Sequence, residues 1–387
     1  FNNVVISIKS SNTRLMVYTV RLLCYRMRLE DMNYPLHLGV TEAGEGEEGR
    51  IRSAVGIGAL LADGIGDTLR VSLTEKPERE IPVALKLINH FRSYYGHQKI
   101  TAPLHAQTNP FEYERRSTRP VLNMGGKFRP VVIADLGERS LQEILPIRGK
   151  LIPEYFLSGN RILDIQGNVY PVITPEEYLF ESTRWGRMKF IRTNKMGFDS
   201  FMSHHPEIMT KLKQTRETVL IMESFNNNPF AELRAFFMML ETHIWKVPVI
   251  IYRKYGERSL EDLQIKASAD LGGLFIDGYG DGICISNDHE NTTFTELKDL
   301  SFGILQSSRM RISRTEFISC PGCGRTQFDL HETTLKVKKH FGHLNHLKIG
   351  IMGCIVNGPG EMGDADYGFV GSGAGKINLY KGLQLVK

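Results

Sequence analysis

No run of apolar residues in this 387-residue chain approaches the length that spans a bilayer. The start also lacks an initiating Met, a basic segment and an apolar core of the kind that marks a leader peptide. Phe1 leads straight into Val4-Val-Ile-Ser-Ile8, which reads as a strand. The expectation is a chain whose natural start lies upstream, with any leader outside it. Cysteine is scarce and odd in number: Cys24, Cys284, Cys320, Cys323 and Cys354. An odd count in a chain of this length argues against a secreted disulfide framework. A strong charge imbalance is absent as well. The net charge of +5 is spread along the chain and reads as a solvated mixed-charge surface, so neither nucleic acid nor membrane is expected as a partner. The mild basicity suits an acidic electron-carrier protein.

Three of the five cysteines fall in one short stretch near the C-terminus, which suggests a metal site in a reducing compartment. The length allows two to three domains. The first ninety or so residues alternate strand and helix. Residues 4–11 read as a buried strand, Thr13 to Arg28 as a helix with Leu15, Val17, Val20, Leu22 and Leu23 at helical spacing, and 34–44 as a strand ending in a polar loop. Ser53 to Asp63 reads as a small-residue helix, 68–73 as a third strand and Ile81 to Tyr95 as a closing helix. A βαβαβα order means parallel strands with helical crossovers. Lys9, Glu42 and Ser72 sit at strand C-terminal ends, where (β/α)₈ barrels build active sites. Three units are too few to close such a barrel, so the remaining strands are expected upstream.

Residues 96–127 are polar and Pro-containing and read as a linker or an irregular domain entry. The βα rhythm resumes at 131–136, 218–224, a helix from Ala231 to His243, 247–252 and 283–286. It also carries an echo of the first unit. Asp63-Gly-Ile-Gly-Asp67 recurs as Asp277-Gly-Tyr-Gly-Asp281, and Gly58-Ala-Leu60 as Gly272-Gly-Leu274, both 214 residues on. Tyr34-Pro35 aligns with Val247-Pro248 with a one-residue slip. The reading is that 97–312 form a second barrel-like domain related to the first. In that copy Glu42 falls near Lys254–Tyr255 and Arg70 on Cys284, so the polar constellation is lost and the copy is scaffold. Residues 313–387 form the last unit, with a helix around Thr333–Phe341, a strand at 347–351 and a Gly-rich segment from 353 to 375.

Cys320-Pro-Gly-Cys323 places two thiolates about one cluster edge apart, and Cys354 adds a third from its own Gly-rich turn. A CxxC alone is shared by redox pairs and zinc knuckles. With His340, His343 or His346 a closed Cys₃His zinc site stays open; without them, three thiolates fit a 4Fe–4S cluster whose fourth iron needs another ligand. Glu361, seven residues after Cys354 in Asn357-Gly-Pro-Gly-Glu361, is a candidate for that iron or a solvated surface residue.

Residues 318–330 (ISCPGCGRTQFDL), 351–371 (IMGCIVNGPGEMGDADYGFVG), 34–44 (YPLHLGVTEAG) and 64–74 (GIGDTLRVSLT) resemble the signature segments of the 4-hydroxy-3-methylbut-2-enyl diphosphate synthase family, in its three-domain form of plants, chlamydiae and apicomplexan plastids. The resemblance runs along the whole chain. It implies an α/β fold of three parts: the C-terminal portion of a catalytic (β/α)₈ TIM-type barrel at 1–96, an inserted barrel-like α/β domain at 97–312, and a C-terminal α+β iron–sulfur domain at 313–387. It implies an oxidoreductase that opens 2-C-methyl-D-erythritol 2,4-cyclodiphosphate by two-electron reduction in isoprenoid biosynthesis. A 4Fe–4S cluster, ferredoxin or flavodoxin as donor, a monomeric state, and a cytoplasmic or plastid-stromal location follow from the same resemblance. The matching positions make Cys320, Cys323, Cys354 and Glu361 the cluster ligands and Glu42 the essential carboxylate. Lys9, Thr41, Arg70, Ser72 and Asn357 fall around the substrate, and Lys9 and Arg70 have the charge to grip a diphosphate. The family's diphosphate-binding arginines lie on strands this chain does not show, so inactivity of the chain by itself is one expectation. The competing readings are a structural zinc scaffold, a sirohaem-type reductase domain, which usually needs four thiolates, and an inactive fragment.

Overall fold

A computed structural model describes residues 3–103, 109–137, 139–140, 151–180, 188–373 and 375–387. The first unit runs α1 (Thr13–Leu29), β1 (His37–Leu38), α2 (Gly46–Ala62), β2 (Thr68–Leu69), a 3₁₀ turn at Pro77–Arg79 and α3 (Glu80–Arg92). The expected parallel order is present, with β1 beside β2 and isolated parallel bridges Ile6–Leu36 and Ser10–Val40. The regular strands are only two residues long, and residues 4–11 do not form the expected buried strand. Val4 and Val5 are exposed, because among the described residues this segment has a neighbour on one edge only.

The second unit is a closed eight-strand barrel in the order β10-β3-β4-β5-β6-β7-β8-β9. Its strands are β3 (Val131–Asp135), β4 (Tyr155–Ser158), β5 (Arg161–Asp164), β6 (Val169–Ile173), β7 (Lys189–Asn194), β8 (Thr218–Glu223), β9 (Val249–Tyr255) and β10 (Gly282–Asn287). All neighbouring pairs are parallel except β4–β5–β6, where β5 runs against its neighbours. Its described helices are α4 (Pro175–Phe180), α5 (Lys195–His204), α6 (Glu207–Gln214), α7 (Pro229–Thr242), α8 (Leu260–Ile276) and α9 (Phe294–Ser307). The stretch expected as a linker or an irregular domain entry packs against this barrel. Val121 and Met124 pack into the barrel interior, and Arg116 donates to the carbonyls of Trp245 and Val247. Apolar residues spaced in a polar segment are enough to plug the barrel floor once Arg116 and Thr118 anchor it. Residues 104–108 of that stretch lie outside the described residues.

The third unit is a five-stranded sheet: β11 (Glu316–Ser319), β12 (Lys348–Met352) and β13 (Tyr367–Gly373) run parallel, and β14 (Lys376–Lys381) and β15 (Gln384–Leu385) follow antiparallel. Helix α10 (Leu330–Phe341) connects β11 to β12, and the short α11 (Gly358–Glu361) connects β12 to β13.

The sequence echo is a structural repeat. Asp67 accepts from the backbone N–H of Leu36, and Asp281 accepts from that of Val249. The glycines of both turns, Gly64 and Gly66, Gly278 and Gly280, all take positive φ, which only Gly adopts without strain. The two 17-residue helices that precede these turns, α2 and α8, lie against each other along small residues. A methyl group at Gly58 would meet Ala269 at 3.2 Å, and one at Gly272 would meet Val55 at 2.5 Å. The two contacts exchange residues 214 apart, so the halves meet about a local two-fold, as identical subunits do. At one end of this contact Arg21 of α1 and Arg234 of α7 each bridge Asp63 and Asp277, at 2.6–2.8 Å. Each buried charge is therefore matched, which is the condition for tolerating it away from water.

The close approach gives a direct expectation. Gly272→Ala should destabilise the chain by about 1–3 kcal/mol, the usual cost of overpacking. Val55→Ala in the same protein should restore part of it, read as the midpoint of urea unfolding. No loss in the single variant would contradict this packing.

Candidate active site

Glu42 lies just past β1, between Val40, which bridges to Ser10, and the start of α2. Its backbone is left-handed, with φ of 47°, an uncommon conformation for a residue with a side chain. The side chain is 3% exposed. Thr41 Oγ1 donates to Glu42 Oε1 at 2.5 Å, while Oε2 is buried with no hydrogen-bond partner among the described residues. Burial pushes the carboxyl up to about 7, helped by the charge of Glu361 and opposed by the Thr41 hydrogen bond and by Arg52 and Arg70. A strained, buried carboxyl with one unused oxygen near neutrality is equipped to hand over a proton.

Around it stand the other expected residues of the first unit. Lys9 lies over Gly39, its Cε 3.1 Å from where a Cβ would sit, and its ammonium is pushed down first by burial and then by Arg70. Two cations that repel each other form a place for an anion. Arg70 is half exposed and makes its ion pair with Glu80, at 3.4 Å, not with Glu42. Ser72 is buried nearby in the chain.

The third unit meets this place through β11. Thr74 Oγ1 donates to the carbonyl of Ser319 at 3.2 Å, the residue before Cys320. The charges of Glu361 and Glu42 both act on the Cys320 thiol, which burial raises and the amides of Gly353 and Gly322 lower. Cys320, Glu361 and Glu42 thus share one neighbourhood across the seam. Gly353 N–H donates to Cys320 Sγ at 3.3 Å, and Arg325 N–H to Cys323 Sγ at 3.4 Å. Cys354 follows β12 beside Gly353, where a Cβ would press on Thr326 at 2.8 Å. Cys323, Asn357 and Glu361 are exposed, and Cys320 and Cys354 are half-buried. Free thiols with backbone amides already aimed at sulfur, set in Gly-rich turns, fit an iron–sulfur cluster. Among the described residues no three His, Cys, Asp or Glu side chains converge tightly enough for a single metal ion. His340, His343 and His346 are exposed on and after α10, and none of them joins the cysteines in such a group.

Two residues of this seam carry no motif. Arg52, on α2, is 4% exposed and donates to the carbonyls of Glu42 and Phe317 and to the Glu48 carboxylate. Thr74 is equally buried. The one signal in the sequence is an arginine inside the small, apolar Ile51–Ala62 stretch, where a charge needs a reason.

Comparison with known proteins bears on what this arrangement is. The GcpE TIM-barrel domain matches residues 1–85, and the GcpE protein C-terminal domain matches residues 316–387. A Bacteroides fragilis protein named 4-hydroxy-3-methylbut-2-en-1-yl diphosphate synthase (flavodoxin) is 45% identical over 397 residues, covering all of this chain and 63% of its own length. Two segments of this chain therefore match domains of the GcpE family. Proteins of the same name from Phocaeicola vulgatus and Leptospira interrogans are 46% and 33% identical over the whole chain, which covers 64% and 65% of them. The chain spans less than two thirds of the length of these relatives. Both matched segments hold the residues of the seam, while the closed barrel lies between them.

The elevated carboxyl predicts a pH signature. A folded-state value above the unfolded one favours the protonated form, so Glu42 costs no stability below about pH 4.5, costs progressively more between there and about pH 7, and costs a constant amount above that. A shift of that size corresponds to about 3 kcal/mol. Glu42→Gln should therefore unfold like the parent at pH 4.5 and at a higher denaturant midpoint at pH 8. A constant difference across that range would count against the buried carboxyl.

Proposed function

We propose that the chain carries the reductive half of a 4-hydroxy-3-methylbut-2-en-1-yl diphosphate synthase. The substrate would be 2-C-methyl-D-erythritol 2,4-cyclodiphosphate, opened with two electrons and loss of a hydroxyl as water. The observation that carries this reading is the buried, half-satisfied Glu42 carboxyl set across the seam from Cys320 and Glu361, in a chain whose two ends match GcpE domains. In this reading residues 1–96 are a portion of the catalytic barrel, 97–312 an inserted barrel and 313–387 the cluster domain. Flavodoxin, named for the relatives, or ferredoxin delivers the electrons, and the setting is the cytoplasm or a plastid stroma.

Cys320, Cys323, Cys354 and Glu361 would hold the 4Fe–4S cluster. Bound there, the cluster supplies electrons and Lewis acidity at an iron open to substrate oxygen. The chain's own residues do the rest. Lys9 and Arg70 draw in the diphosphate and orient it. Ser72 and Asn357 flank the ligand from the two units. Glu42 Oε2 carries the proton that the departing hydroxyl needs, and Thr41 holds the other carboxyl oxygen so that Oε2 stays aimed. General acid help of this kind is worth about 10²–10⁴ in rate. The barrel between the matched segments serves as scaffold. It covers the α2 face of the first unit and lets β11 reach Thr74 within one chain, which favours a monomer.

Anaerobic purification tests the cluster first: a brown protein with iron and acid-labile sulfide is expected, and a colourless zinc protein would overturn the reading. Cys354→Ser should lose most iron and sulfide. Glu361→Ala should keep much of the cluster and lose most turnover. In an enzyme of the relatives' full length, Glu42→Gln should bind substrate and keep its cluster, while pre-reduced single turnover slows by at least about a hundredfold. Near-normal single turnover would leave Glu42 with a structural role alone.

A further inference from the structure

Among the described residues, polar contacts cross the seam between the first and third units: Thr74 to Ser319, Arg52 to Phe317, and Glu45 and Glu48 to Lys338. Beside Arg52 lies an open cleft of about 230 Å³, lined by Glu47, Ile51, Phe317 and Lys338 and bounded by Gly303 and Ser307 of α9. Hydrogen bonds from buried side chains tie β11 to the first unit here. Arg52 Nη1 has two N–H bonds, and they go to two different units: the Glu42 carbonyl at 3.2 Å and the Phe317 carbonyl at 3.3 Å. Nη2 donates to Glu48 Oε1 at 2.6 Å, which neutralises the buried charge. Glu48 in turn meets Lys338 of α10 at 3.3 Å.

We propose that Arg52 is a positioning residue that couples the Glu42 turn to the cysteine-bearing strand, holding both through a single guanidinium nitrogen. The Glu42 carbonyl belongs to a left-handed residue, and such a conformation persists only where its surroundings enforce it. The Phe317 carbonyl lies three residues before Cys320. A shift of β11 relative to α2 therefore breaks one arm of the clamp or pulls the Glu42 turn with it. The Thr74 hydroxyl holds the same strand at Ser319, while its backbone N–H donates to the Gly44 carbonyl at 2.9 Å, a bond that substitution of the side chain leaves in place. Arg52 is thus the side chain that joins the Glu42 carbonyl itself to β11, and the Thr74 hydroxyl is an anchor of the strand alone. The coupling rests on the reading of Glu42 and Cys320 as halves of one site, although the clamp itself can be tested without that reading.

Lysine keeps the charge of arginine but has one compact head, so it cannot serve two carbonyls and a carboxylate in this geometry. The experiment compares amide hydrogen exchange in the cluster-loaded 387-residue parent, Arg52→Lys and Thr74→Val. In Arg52→Lys, exchange should quicken by at least about tenfold in both 39–46 and 314–323, with α8 unchanged. In Thr74→Val only 314–323 should quicken. The EPR spectrum of the reduced cluster, read on the same samples, should change in Arg52→Lys at unchanged iron content, which a general loss of helix stability would not produce. Uniform quickening that includes α8, or acceleration confined to one of the two segments in Arg52→Lys, overturns the proposal. A parent that binds no iron and sulfide overturns the cluster reading instead, and leaves the exchange comparison to decide the clamp.

Discussion

The contact of α2 on α8 is the constraint from which the rest of the molecule hangs. Two helices can approach this closely only where both lack bulk, and Gly58, Ala59, Gly272 and Gly273 supply that at matched positions. Because the contact is reciprocal, it fixes both the distance and the rotation of the two units. The crossed pairs of Arg21 and Arg234 with Asp63 and Asp277 then set the slide along the helices. Helix α2 so held delivers three things from its first two turns: the Glu42 turn before it, the Glu45 and Glu48 carboxylates that meet Lys338, and the Arg52 clamp. A buried interface far from the chemistry thereby decides where the third unit can sit.

Much of this was legible in the sequence, and the parts that were not share a cause. The helices over Thr13–Arg28 and Ile81–Tyr95 and the parallel order of the first unit follow from period and turn chemistry, which are local. The Asp-Gly-X-Gly-Asp echo was legible because the same turn geometry needs the same residues. The buried strand expected at 4–11 did not form, since burial of a strand depends on neighbours that a local pattern cannot supply. The plug at Val121–Met124 was hidden for the converse reason: a short apolar pair in a polar, Pro-rich stretch carries no period, and only the barrel above it makes it core.

The site divides along the same line. Cys320, Cys323, Cys354 and Glu361 stand in turns whose glycines and spacing announce them. Glu42 was marked by its place at a strand end, but its left-handed backbone and orphaned oxygen were not visible. Arg52 and Thr74 were passed over because each is an ordinary residue on a regular element, and what distinguishes them is which carbonyls of a distant strand they meet.

The closed barrel shows how the same framework loses a site. Where the repeat aligns Glu42 with Lys254–Tyr255, Lys254 pairs with Asp288 at 2.8 Å and the Tyr255 hydroxyl donates to the buried Asp270. Where it aligns Arg70, Cys284 is buried among the barrel's apolar residues. The polar groups that remain at this mouth are matched to one another. Arg192 pairs with Glu223 and stacks on Tyr252 at 4.3 Å, and the Tyr252 hydroxyl points to Asp135. Glu42 keeps a buried oxygen with no partner among the described residues, whereas at these aligned positions the charges are met. The barrel keeps the turns, because they hold Asp281 to Val249 and the helices to each other, and that is what a scaffold has to keep.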